Sequence, residues 1–304
     1  MSLAEATVAS SLLADALRRI AVEVDAGFDL LLAVPQDPRA RLVEAMRYAA
    51  IGGGKRMRPL LLTATAEMYG VDREAAVRTS LAIEAIHVYS LIHDDLPCMD
   101  DDALRHGKPT VHRAYDEATA VLAGDALHAF AFELLAEPTT TGDPFTRSEL
   151  ILALGSASGL NGMAGGQMMD IVAEGSDFDL QTVTRLQQLK TGALLGAAVE
   201  MGAILGRLAP EGRAHLRGYA RDIGLAFQIA DDLLDHEGDE AAAGKALRKD
   251  TGKGKQTLVS LLGADRARSQ ARMLVDQAIG HLAQHGAEAD LLRELARYIV
   301  ERDR

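Results

Sequence analysis

Apolar residues recur at three- and four-residue spacing through most of this chain, as in Leu12, Leu13, Leu17, Ile20, Ala21 and Val24, and again in Leu81, Ile83, Ile86 and Leu91. That is the helical period, and each such segment must bury its apolar stripe against another. Ala and Leu dominate the interiors, β-branched residues are scattered, and no convincing alternating strand is present. Turn formers cluster at Pro35–Pro38, Gly52–Gly54, Gly107–Pro109, Pro138–Pro144, Gly175–Asp177, Pro210–Gly212 and Gly238–Gly254, leaving about ten helical segments between them. None of these breaks is long enough for an interdomain linker. The 304 residues are therefore read as one all-α domain, 1–304, with 1–9 a poorly ordered start whose Met1-Ser2-Leu3 resembles a cloning remnant.

Charge narrows the functional classes. Forty-four acids against 32 bases give a net charge of -12, and no stretch concentrates the bases, which argues against nucleic acid as a partner. The single cysteine, Cys98, cannot form an internal disulfide, so a cytoplasmic location is expected. No run approaches the roughly 18 uninterrupted apolar residues of a membrane span. The first 25 residues carry Glu5, Asp15, Arg18, Arg19, Glu23 and Asp25 in place of a signal-peptide core.

Two acidic clusters each close an apolar helical run. In the first, Leu91-Ile92-His93-Asp94-Asp95-Leu96-Pro97-Cys98-Met99-Asp100-Asp101-Asp102, five carboxylates fall within nine residues. Their mutual repulsion calls for cations, and Pro97 prevents a regular helix, so Asp94 and Asp100 can converge although they are not on one helical face. In the second, Asp231 and Asp235 are four apart and stack on one face beside Asp232. Two such faces opposed could hold Mg²⁺ ions through one or two carboxylates each, leaving positions for phosphate oxygens. A calcium loop is disfavoured, because the Asp-x-Asp-x-Asp-Gly spacing is missing. Bases stand where such a site needs them: Lys55, Arg56 and Arg58 after Gly52-Gly53-Gly54, then Arg105, then Lys190-Thr191 in a third helix, then Lys245, Lys249, Lys253 and Lys255. The Gly turn lacks P-loop spacing, and a lone basic run would ordinarily be a solvated loop. A solvated role for every one of these segments at once is much less plausible.

Gly53-Gly54-Lys55-Arg56-Met57-Arg58-Pro59, Asp94 to Asp102 with Leu104-Arg105, Gly165-Gly166-Gln167-Met168-Met169-Asp170, Lys190-Thr191-Gly192 and Gly224 to Asp235 together resemble the trans-prenyltransferases, the farnesyl and geranylgeranyl diphosphate synthases, in order and spacing. The resemblance runs from about residue 10 to the C terminus. It implies a single-domain bundle of long helices around a deep central cavity, a homodimer, and condensation of an allylic diphosphate with isopentenyl diphosphate. It implies that Asp94, Asp95, Asp100, Asp231, Asp232 and Asp235 bridge Mg²⁺, three ions with Mn²⁺ able to substitute, to the allylic diphosphate, with Arg105, Lys190, Lys255 and Lys245 on its remaining oxygens. Isopentenyl diphosphate is assigned to Lys55, Arg58 and His87, and the oxygens of Thr191 and Gln228 to the path of the allylic cation. His87 and Gln228 read alone would be ordinary satisfied polar residues within helices. One position departs from the family, since a second Arg usually follows Leu104-Arg105 and here it is His106. Either Lys55, Arg58 and a protonated His106 suffice, or the Michaelis constant for isopentenyl diphosphate is high.

In such enzymes a bulky residue five before the first motif acts as a floor for the growing chain. Tyr89 therefore points to a C15 product, while the small Ser90 and the Pro97-Cys98-Met99 insert point toward C20. Tyr89 could also simply pack between helices with its hydroxyl bonded to a neighbour. A terpene cyclase is disfavoured by the second Asp-rich motif and the 4% aromatic content, and a non-catalytic regulatory subunit by the intact motifs.

Overall fold

The computed structural model describes residues 10–237 and 256–301. The expected poorly ordered start, residues 1–9, lies outside them, as do Lys245, Lys249, Lys253 and Lys255. The first half is built from α1 (Ser11–Leu31), α2 (Ala40–Ala50), α3 (Met57–Met68), α4 (Arg73–Asp94), a hairpin of β1 (Leu104–Arg105) and β2 (Lys108–Pro109), a single turn α5 (Val111–Ala114) and α6 (Glu117–Ala136). There follow α7 (Pro144–Ser158), α8 (Met163–Ala173), α9 (Leu180–Gln187), a π-helical turn (Gln188–Gly192), α10 (Ala193–Leu205), α11 (Ala214–Glu237), α12 (Leu258–Leu262), α13 (Ala264–His281) and α14 (Asp290–Glu301).

Short polar side chains start these helices where the chain leaves a turn. Asp72 accepts from the amides of Glu74 and Ala75 at the head of α4, and Asp116 and Asp179 do the same for α6 and α9. Pro144 opens α7, where its missing N–H costs nothing. The middle of α4 is buried all round, from Thr79 to Ile86, because α1, α3, α6 and α10 enclose it. The second half wraps α11 between α10 and α13, with α14 closing on α3.

The hairpin is the one departure from an all-helical reading among the described residues. His106 and Gly107 both take positive φ, 51° and 75°, the conformation a two-residue hairpin turn demands. The expectation about membrane spans also needs qualification. By length and composition α4 and α6 could each cross a membrane, yet the apolar window of α4 is 67% buried inside the bundle and that of α6 only 39%.

One buried ion cluster locks the entry to the site. Arg56 begins α3 in the left-handed region and is 4% exposed. Its guanidinium donates to Glu84 on α4 at 2.8 Å, to Asp25 on α1 at 2.7 Å and to the Ala50 carbonyl at 2.6 Å. A buried guanidinium is tolerable only with such a full set of acceptors. The Gly52–Gly54 turn is thus fixed against α4, and Arg56 serves as its anchor.

Candidate active site

α4 ends at Asp94, and the chain then folds back instead of continuing. The Asp100 amide donates to the Asp94 carbonyl at 2.9 Å and the Asp101 amide to the Leu96 carbonyl at 3.1 Å, so Asp100 returns to the helix end as the Pro97 argument expects. The Asp94 carboxyl is pushed up to about 6, chiefly by burial; Lys190 pulls it down, while the charge of Asp100 raises it further. Asp95 is 3% exposed and its carboxylate is gripped by Arg105, whose Nε donates at 3.0 Å. Burial still raises the Asp95 carboxyl, with Arg105 opposing. Arg105 also lies 3.5 Å from Asp102. It therefore braces the acidic loop in addition to facing the cavity.

The second acidic face is presented by α11. Asp232 is buried, accepting from Gln228 Nε2 at 2.8 Å and from the Leu258 amide at 3.2 Å. Gln228 is itself held, since its Oε1 accepts the Thr191 hydroxyl proton at 3.0 Å. The Gln228 amide thus links Thr191 to Asp232, its oxygen accepting from one and its N–H donating to the other. Lys190 and Thr191 occupy the π-helical turn instead of a continuous third helix. Such single-turn irregularities re-aim side chains and are frequent at functional sites. The Lys190 ammonium pairs with Asp170 of α8 at 2.7 Å, a partner that sequence reading missed although Asp170 stood in a quoted motif.

A pocket opens beside the Gly turn and the first acidic motif, lined among others by Gly52, Gly53, Gly54, His87, Asp95, Arg105, His106 and Lys108. His106 lies over the Gly turn, where a Cβ on Gly53 would approach its ring to 3.4 Å. Burial, then the charges of Arg105, Arg56 and Lys108, lower the His106 pKa, so without a bound anion the ring is neutral near pH 7. The protonated His106 entertained from sequence is not the resting form. His87 is pushed well below its ordinary value by burial and by Arg58 and His106. Arg58 is partly exposed, but its Nε is buried without a hydrogen-bond partner, and burial draws its guanidinium downward. Lys108 was not foreseen. The signal was the His106-Gly107 dipeptide, which turns β2 back and brings Lys108 to the cavity wall. Lys55, next to the Gly turn in sequence, is exposed.

Farther along α4, the Tyr89 ring packs edge-on to His93 at 5.7 Å and to His128 of α6 at 5.0 Å. The Ser90 hydroxyl donates back to the His87 carbonyl at 2.8 Å, leaving Tyr89 as the bulky member of the pair.

An all-α bundle carrying two acidic helix ends and a basic glycine turn is of the isoprenoid-synthase class. The polyprenyl synthetase family model matches residues 39–298. Farnesyl diphosphate synthase of Escherichia coli is 46% identical over 269 residues, 86% of this chain and 90% of that protein. Among solved structures, an FPP/GFPP synthase from Zymomonas mobilis is 60% identical with a TM-score of 0.88, covering 94% of this chain and 98% of that one. A geranyltransferase from Helicobacter pylori, complexed with magnesium and isoprenyl diphosphate, is 33% identical with a TM-score of 0.82, over 95% and 97%. The chain belongs to the polyprenyl synthetase family and is a prenyltransferase.

Proposed function

We propose that this chain condenses isopentenyl diphosphate with dimethylallyl or geranyl diphosphate and releases farnesyl diphosphate. The observation that carries the reading is the return of Asp100 onto Asp94 beside a cavity walled by His87, Arg105, His106 and Lys108. The donor set fits Mg²⁺: hard carboxylate oxygens, one of them held near pH 6 by burial and by a like charge that a cation would relieve. Asp94, Asp100, Asp231 and Asp235 would hold the metal, and Mg²⁺, when bound, stabilises the charge developing on the departing diphosphate. Asp95 and Asp232 position the two motifs through Arg105, Gln228 and the Leu258 amide.

The remaining work falls to the chain itself. Isopentenyl diphosphate lies against the Gly52–Gly54 turn, where Lys55, Arg58 and Lys108 neutralise its oxygens and the neutral rings of His87 and His106 each donate one N–H. Lys190 exchanges Asp170 for the allylic diphosphate. The apolar side chains of α4 keep water from the allylic carbon while the double bond attacks it. A proton then leaves the new chain, with the released diphosphate as acceptor. Tyr89 and His128 stop elongation at C15. Incubating the protein with Mg²⁺, isopentenyl diphosphate and each allylic diphosphate in turn, and weighing the products, tests this reading. Absence of any condensation would end it, and C20 or C25 as the main product would overturn the length assignment.

The active form proposed is a cytoplasmic homodimer. Val121 and Leu122 of α6 and Phe145 and Leu152 of α7 are 42–80% exposed, and a second copy would cover them. Exposed, unpaired Cys98 suits a reducing compartment. Sedimentation at about twice 32.4 kDa is expected, and a concentration-independent monomer would refute the dimer.

A further inference from the structure

The acidic loop must hold Asp101 in the left-handed region, φ 49°, which a non-glycine residue adopts only at a cost. What holds it comes from beyond the hairpin. The Thr110 amide donates to the Ala103 carbonyl at 3.1 Å, and its hydroxyl donates to the Asp102 carbonyl at 2.7 Å. That commits the only hydroxyl proton of Thr110. The 3.1 Å contact between Thr110 Oγ1 and His112 Nδ1 must then take its proton from the ring, so Nδ1–H is the donor. The neutral imidazole is fixed in one tautomer, and its Nε2, an acceptor, lies 3.9 Å from Asp101 Oδ1, beyond hydrogen-bond reach, so the hold on the loop runs through Nδ1. The His112 side chain is 3% exposed and Nε2 has no hydrogen-bond partner. One residue on, Arg113 donates to the same Asp101 oxygen at 3.0 Å.

A side chain needed only to fill this space would be better apolar, because a buried ring nitrogen without a partner is costly. We infer that His112 is a positioning residue for the first acidic motif: its Nδ1–H holds the Thr110 hydroxyl on the Asp102 carbonyl, Arg113 holds the Asp101 carboxylate, and together they clamp the left-handed turn at Asp101 and so set the return of Asp100 onto Asp94. His112 touches neither substrate nor reacting atoms in this scheme. Its effect is to hold the carboxylates in the arrangement that receives a divalent cation and a diphosphate. The inference rests on the proposed function of those carboxylates.

The test uses His112→Met, which keeps the volume and loses the ring donor, Thr110→Val, which removes the hydroxyl alone, and His112→Asn, whose amide N–H stands where Nδ1–H stood. Each full-length protein is titrated calorimetrically with Mg²⁺ in the presence of inorganic pyrophosphate, and Michaelis constants are measured for both substrates. Losing one neutral hydrogen bond of the clamp should weaken Mg²⁺–pyrophosphate binding about fivefold to tenfold in His112→Met and Thr110→Val. The Michaelis constant for the allylic substrate should rise with it, that for isopentenyl diphosphate should stay within twofold, and His112→Asn should recover most of the loss. Wild-type affinity in Thr110→Val, no recovery in His112→Asn, or an equal rise for both substrates would overturn the clamp. If the unaltered protein fails to bind Mg²⁺ and pyrophosphate, the functional reading beneath it fails instead.

Discussion

Asp94 offers the sharpest separation of stability from function. Its carboxyl moves from an ordinary 3.8 to about 6 in the folded chain, mainly through burial. Between those values the folded state binds more protons than the unfolded state, so stability falls as pH rises, the reverse of the usual salt-bridged aspartate. At about 1.4 kcal/mol per unit, the fully ionised carboxylate costs the metal-free fold about 3 kcal/mol. Asp94→Asn removes that charge and keeps the shape. Urea unfolding in EDTA, at one fixed protein concentration, should find the variant about 3 kcal/mol more stable at pH 8 and about 1 kcal/mol more stable at pH 4.5. Turnover should drop by several orders of magnitude, and added Mg²⁺ with pyrophosphate should raise the midpoint of the unaltered protein only. A gain of the same size at both pH values, or a loss at pH 8, would refute the argument that Asp94 is a charge held at a cost for use.

Gly166→Ala should be more harmful than a single methyl suggests, because its Cβ would fall 2.2 Å from the Lys190 amide nitrogen. A loss of about 1–3 kcal/mol in unfolding free energy is expected, with a raised Michaelis constant for the allylic substrate as Lys190 shifts; unaltered kinetics would show that the π-helical turn does not position Lys190. His106→Arg, measured by steady-state kinetics near pH 7, should lower the Michaelis constant for isopentenyl diphosphate by up to tenfold, since a permanent cation replaces a neutral ring. An effect confined to the allylic substrate would put residue 106 on the wrong side of the site. Tyr89→Ala should shift the product mass spectrum to C20 and longer, and an unchanged spectrum would assign the length stop to another helix.

The acidic motifs were legible because repulsion among five carboxylates in nine residues has few peaceful explanations, and Pro97 told correctly where α4 must stop. The division of labour inside each motif was not legible. Which aspartate is buried under Arg105, and which is tied to Gln228 and the Leu258 amide, depends on a side chain 10 residues away and a backbone amide 26 residues away in sequence, which meet their partners only in the fold. Arg56 looked like one more anion-binding base beside Arg58, and what separates them is whether Glu84 and Asp25 lie within reach. The neutral state of His106 was hidden for the same reason, since desolvation is a property of the folded surroundings. The hairpin went unnoticed because two-residue strands carry no periodicity, although the His106-Gly107 turn marked it.

The π-helical turn at Gln188–Gly192 bears on how this chain tolerates changes in length. A π turn holds one residue more than the α-helical ladder on either side, and each α-helical residue advances the axis by about 100°. Deleting one residue there would let α9 and α10 merge into one regular helix, a change that secondary-structure propensity would welcome. It would also rotate one flank by about 100° against the other, carrying Lys190 away from Asp170 or Thr191 away from Gln228. Insertions and deletions are ordinarily tolerated in surface loops and resisted in helices. Here the resistance comes from a registry that the helix itself would rather lose.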